Sequence, residues 1–177
     1  MKNLVVLAIL SVLIVGCSDF KQKAQLKAVN DLQAKAKRLN QSFKASFPDT
    51  LSSMRQNMMH MEIFLKNHVV LDSVDRSYGS DMDEYKETRN KIGTINKQYV
   101  VLKKAFNEES NQLKQLENDI SNGFGKRQRY DDYLASEKKN VDKLEKHTNE
   151  FIKAINQIKD KYQLLHPRLN ALAIKFK

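Results

Sequence analysis

The chain has 177 residues, with 31 Lys and Arg against 21 Asp and Glu, for a formal net charge of +10. Five glycines, two prolines, no tryptophan and a single cysteine argue against a sheet fold and exclude an intrachain disulfide. The apolar residues, 41% of the chain, recur with a helical period, which sets it apart from a disordered polyelectrolyte.

The chain opens with Met1-Lys2-Asn3, an apolar run from Leu4 to Val15, and then Gly16-Cys17. A positive start, an apolar stretch and a small residue at its end are the layout of a secretory signal. As a helix the run spans only about 18 Å, whereas a bilayer core is about 30 Å thick and takes about 20 apolar residues to cross. The string Ile14-Val15-Gly16-Cys17 resembles the lipobox of bacterial lipoproteins. That resemblance implies diacylation of the Cys17 thiol, removal of residues 1–16, and a mature chain that begins on a lipid. It also implies, with Ser18 after the cysteine, an outer-membrane destination if the cell is Gram-negative, and otherwise the outer face of the cell membrane.

The first arm runs from Asp19 to about Val74. Leu26, Val29, Leu32, Ala36, Leu39 and Phe43 fall at steps of three and four, which keep them on one helix face. Pro48 interrupts, because proline lacks a backbone donor and restricts Phe47. The stripe resumes with Phe47, Leu51, Met54, Met58, Met61 and Leu65. The spacing therefore predicts a kinked arm that carries on in one direction, with a hairpin at Pro48 as the alternative.

A turn is expected at Ser77-Tyr78-Gly79-Ser80, followed by a capped helix start at Asp81-Met82-Asp83-Glu84. The second stripe is Tyr85, Thr88, Ile92, Ile95, Tyr99, Leu102, Phe106, Glu109, Leu113, Leu116 and Ile120. Asn122-Gly123-Phe124-Gly125 then reads as a turn, with glycine where a helix C-cap wants it. The third stripe runs from Tyr130 through Glu137, Thr148 and Ile158 to Phe176, with a kink expected at Pro167. Three arms with sustained three-four spacing predict an all-α fold, an elongated antiparallel three-helix bundle or coiled coil. Residues 17–45 would be a lipidated basic stalk helix, and residues 46–177 the bundle.

Charge is uneven along this plan. Lys21, Lys23, Lys27, Lys35, Lys37, Arg38 and Lys44 follow the anchor, and the Gly123 turn adds Lys126, Arg127 and Arg129. Asp72, Asp75, Asp81, Asp83, Glu84 and Glu87 collect at the other turn. Cations at the start of a helix oppose its dipole, although they can help cap the helix before it, so helix stability alone is a poor reason for Lys126, Arg127 and Arg129. The functional reading is a polyanion site formed with Lys35, Lys37 and Arg38, for anionic lipid headgroups or an anionic wall polymer; the alternative is a solvated basic face.

Met54, Met58 and Met61 share one helical face, and thioethers suit Cu(I). Methionine is equally a core filler or the lining of a groove for a partner helix. His60, His68 and the pair His147 and Glu150 complete no metal set. No nucleotide loop, dinucleotide fingerprint or nucleophile elbow occurs, so neither an enzyme nor a bound cofactor is expected. The string Lys126-Arg127-Gln128-Arg129-Tyr130 has basic residues beside an aromatic, but export makes nucleic acid an unsuitable partner. Ile95-Asn96-Lys97-Gln98-Tyr99 with Phe106-Asn107 is slightly similar to the helical region of bacterial cell-wall-binding lipoproteins, where the comparable string lies nearer the C-terminus. The sequence thus points to a lipid-anchored, non-enzymatic helical protein of the cell envelope that holds a protein partner or an anionic polymer.

Overall fold

The computed structural model describes residues 2–69 and 76–176, with side chains over 20–69 and 77–176. Four α-helices form: α1 (Lys2–Ser46), α2 (Leu51–His68), α3 (Arg76–Asn122) and α4 (Tyr130–Ile174), with a 3-10 turn at Arg127–Arg129 before the last. The fold is an all-α helical bundle, with no strand among the described residues. Among the described residues no helix is long and apolar enough to cross a membrane. Asp72, Asp75 and the expected end of the first arm at Val74 lie outside the described residues.

Contacts group the chain into two compact units, residues 1–40 with 104–146 and residues 41–103 with 147–177. The first has a core of Val29, Ala36, Leu113, Leu116, Ile120, Tyr130 and Val141, against which Leu26, Leu32, Leu39, Tyr133 and Leu134 pack. These are the stripe residues of α1, α3 and α4, brought together because each helix has only one apolar face to bury. The stretch expected to be a basic stalk is therefore a packed member of this unit: Val29 is fully buried and Ala36 nearly so.

In the second unit Phe43, Leu51, Met58, Leu65, Tyr85, Ile92, Ile155 and Leu165 are all fully buried. Leu51, Met58 and Leu65 are seven apart, the repeat of a coiled-coil seam. Pro48 breaks the first arm without reversing it. Phe47 stacks on Tyr99 at 4.2 Å between ring centroids, and Arg89 Nε meets Glu62 Oε1 at 2.7 Å. As the chain advances from Phe47 to Glu62, its partner on α3 moves back from Tyr99 to Arg89, so α2 runs on antiparallel to α3. Leu51 N–H donates to the Pro48 carbonyl at 3.2 Å, which starts the new helix.

One boundary differs from the sequence reading. Helix α3 begins at Arg76, so the expected turn at Ser77–Ser80 is helical. Gly79 costs a helix only about 1 kcal/mol, and Tyr78, whose phenol burial holds above its ordinary pKa, is part of the packing that outweighs it. Helix α4 continues through Pro167 to Ile174. Leu165, Leu169 and Ala173 on either side of the proline are buried, so apolar packing holds a helix that has lost one backbone donor.

Candidate functional site

The Gly123 turn is built by its own backbone. Gly123 and Gly125 have φ of +66° and +74°, a left-handed conformation that a side chain opposes. Phe124 N–H donates to the Asp119 carbonyl at 2.9 Å, and Gly123 N–H to the Ile120 carbonyl at 3.3 Å. These bonds satisfy carbonyls that a helix end otherwise leaves open. The Tyr130 hydroxyl reaches the carbonyls of both Asp119 and Phe124, tying the start of α4 to the end of α3.

The early turns of α1 lie against this turn. Gln22 Nε2 donates to the carbonyls of Ile120, at 2.7 Å, and Ser121, at 3.1 Å. Asp131 accepts from Lys21 Nζ at 2.9 Å and from Gln25 Nε2 at 2.6 Å. The Lys21 bond, then that of Gln25, hold the Asp131 carboxyl below the usual carboxylate range. Lys21, Gln22, Ile120, Gly123, Arg127 and Tyr130 line a cleft of about 460 Å³.

The sequence-predicted cations separate into two groups. Lys126, Arg127 and Arg129 are exposed on the turn. Arg127 Nε donates to the Gly123 carbonyl at 2.9 Å. Arg129 lies 5.2 Å from the centre of the Tyr133 ring and 3.8 Å from Asp132. Lys126 and Arg127 form no ion pair among the described residues. Lys35, Lys37 and Arg38 sit ten or more residues beyond Gln25, about 15 Å or more along α1, so the fold does not gather them into the turn cluster. Lys35 is not a free cation either: it pairs with Asp142 at 2.8 Å and Glu145 at 2.7 Å. Its pKa is raised, first by the Asp142 bond and then by Glu145. Lys37 lines a separate cleft of about 290 Å³ with Lys114, Gln33 and Asn40, where Asn40 Oδ1 is buried with no partner among the described residues.

Met54, Met58 and Met61 differ in burial: Met54 and Met61 are partly exposed and Met58 is not. Met58 is fully buried in the core, beyond the reach of a ligand from solvent. Met61 instead lines a cleft of about 280 Å³ with His60 and His166. His166 accepts or donates at Nδ1 to the buried Tyr85 hydroxyl, and burial lowers its pKa. Among the described residues no three His, Cys, Asp or Glu lie together as a metal set. The acidic residues expected at the other turn are partly neutralised by α4: Lys161 pairs with Glu84 and Arg168 with Asp81.

Sequence periodicity placed Glu109, a polar residue, within the second apolar stripe. It is 4% exposed, and one of its carboxyl oxygens has no hydrogen-bond partner among the described residues. Burial, then the Glu137 charge and a hydrogen bond to Glu137, push its pKa up to about 7. Asn140 Nδ2 donates to Glu137 at 3.0 Å. The arrangement is a buried acid donating its proton to a neighbouring carboxylate across α3 and α4.

No family model, curated protein or solved structure matches the chain. What the site can do is therefore argued from its chemistry: it presents exposed cations on a turn whose backbone is satisfied by hydrogen bonds.

Proposed function

We propose that the chain is a bacterial lipoprotein, a non-enzymatic helical scaffold or partner-binding protein of the cell envelope tethered through Cys17. The observation that carries this reading is the string Ile14-Val15-Gly16-Cys17 closing a short apolar run in a chain with one cysteine. A thiol with no possible intrachain partner in an exported chain has a use if it is acylated. Two or more acyl chains anchor stably where one binds only marginally. The placement would be the outer membrane in a Gram-negative cell and the outer face of the cell membrane otherwise. A bundle of packed helices on such a tether suits holding another envelope protein.

Mass spectrometry of the mature protein from a bacterial host tests the tether. A diacylglyceryl group on an N-terminal Cys17 is the expected result; a retained leader or a bare thiol refutes it. Capture from envelope extract with the acylated chain then tests the role, with one stoichiometric protein partner expected.

A second reading, capture of an anionic envelope polymer, is favoured by the exposed Lys126 and Arg127, which have no acidic partner among the described residues. Retention of a polymer that is lost at raised salt would decide for it.

A further inference from the structure

Phe20 and Phe124 are the two most exposed of the eight phenylalanines, at 79% and 57%. Phe43, Phe106 and Phe151 are by contrast buried. Both exposed rings belong to the same end of the first unit. Phe20 is two residues from Gln22, whose amide holds the carbonyls of Ile120 and Ser121, and Phe124 follows that helix end directly.

Phe124 is not exposed through looseness. Its N–H is bonded to Asp119 and its carbonyl to Tyr130. An apolar residue just past a glycine cap normally folds back on an apolar residue in the last turn of the helix. The positions that would receive it are Asn118 and Asp119, so the ring lacks that apolar fold-back contact. A rigid turn thus holds an aromatic ring out into solvent.

Charge completes the surface. By sequence this end carries Lys21, Lys23, Lys126, Arg127 and Arg129 against Asp19, Asp119, Asp131 and Asp132. Lys21 is engaged by Asp131, and Arg129 lies beside Asp132. Lys23, Lys126 and Arg127 remain against Asp19 and Asp119. Apolar rings flanked by basic residues match the interface of an anionic bilayer, where rings enter the headgroup boundary and cations meet lipid phosphates. Phe20 also follows Cys17 by three residues, about one turn of α1.

We infer that this end of the protein is a membrane-seating surface: Phe124 and Phe20 insert into the interface of an anionic bilayer while Lys23, Lys126 and Arg127 engage its headgroups. The inference rests on the Cys17 tether and adds a defined contact to it. The tether supplies proximity, and the rings and cations set how the first unit stands on the lipid.

The absence of tryptophan makes the test direct. Phe124→Trp places a single tryptophan on the turn, excited at a wavelength where tyrosine does not absorb, and Val101→Trp places one at a 67% exposed site elsewhere. Each full-length variant, produced in a bacterial host and purified from its membranes, is reconstituted into phosphatidylglycerol-rich or pure phosphatidylcholine vesicles with brominated acyl chains. The Phe124→Trp protein should shift to the blue and lose about half its intensity to the bromines in the anionic vesicles, as expected for a ring about 5–10 Å into the interface. The loss should be smaller in the neutral vesicles, and the Val101→Trp protein should be unaffected. Co-flotation with unquenched fluorescence at residue 124 overturns the inference and leaves the tether standing. Failure to co-float overturns the tether and the inference with it. Equal quenching in both lipids, or a response to soluble polyphosphate in place of lipid, overturns the assignment of an anionic bilayer.

Discussion

Replacing Glu109 with glutamine should abolish most of a pH dependence of stability. Glu109 titrates at about 7 in the folded chain against an ordinary value of 4.5. Between those values the folded state holds a proton that the unfolded state has released. Stability therefore falls as pH rises through this window. At about 1.4 kcal/mol per pH unit, the raised pKa corresponds to a loss of up to about 3 kcal/mol, complete above about pH 8. Glu109→Gln keeps the shape, donates to Glu137 through its amide, and cannot ionise. Its advantage over the wild type should be near zero at about pH 4 and approach about 3 kcal/mol at about pH 8. His166 works in the opposite sense: its lowered pKa removes stability as pH falls below its ordinary 6.5. It is present in both proteins and cancels in the difference. Urea unfolding followed by far-ultraviolet circular dichroism measures both at each pH. A difference that stays flat across this range would refute the buried, proton-sharing carboxyl.

Three further outcomes follow from the packing. Gly123→Ala must hold a side chain at φ +66° and displace the Arg127 guanidinium, and should cost about 1–2 kcal/mol; a melting temperature equal to wild type contradicts the turn geometry. Met58→Ala empties a fully buried position and should cost about 2–5 kcal/mol, whereas Met59→Ala, at a 40% exposed position, should change denaturant unfolding by less than about 0.5 kcal/mol. Lys35→Met removes pairs with Asp142 and Glu145 at a 31% exposed side chain; the loss should stay below about 1 kcal/mol and vanish at high salt, as a salt series of unfolding curves would show.

Much of the helical plan was legible in the residues because a three-four spacing has one structural meaning. Val29, Ala36 and Phe43, then Leu51, Met58 and Leu65, were placed on buried faces by periodicity alone, and all are buried. The Gly123 turn was equally legible, since glycine is the residue that takes a positive φ without strain. The start of α3 was not. Local signals at Gly79 and Asp81 are worth about 1 kcal/mol each, which tertiary packing outweighs.

The candidate site was legible in residue type and not in grouping. The string at Lys126 to Arg129 was visible as charge, but charge along a chain says nothing of what each side chain meets across the bundle. Lys35 looked like its equal until Asp142 and Glu145, more than a hundred positions away, were seen to hold it. The same is true of Glu109, whose altered acidity comes from Glu137 on another helix, and of Phe124, whose exposure depends on the absence of an apolar neighbour in the turn it caps. Periodicity is a property of one helix and is written in order along it. Ion pairs, shared protons and exposed rings are properties of the space between helices, and arise only when distant segments are brought to within a few ångströms.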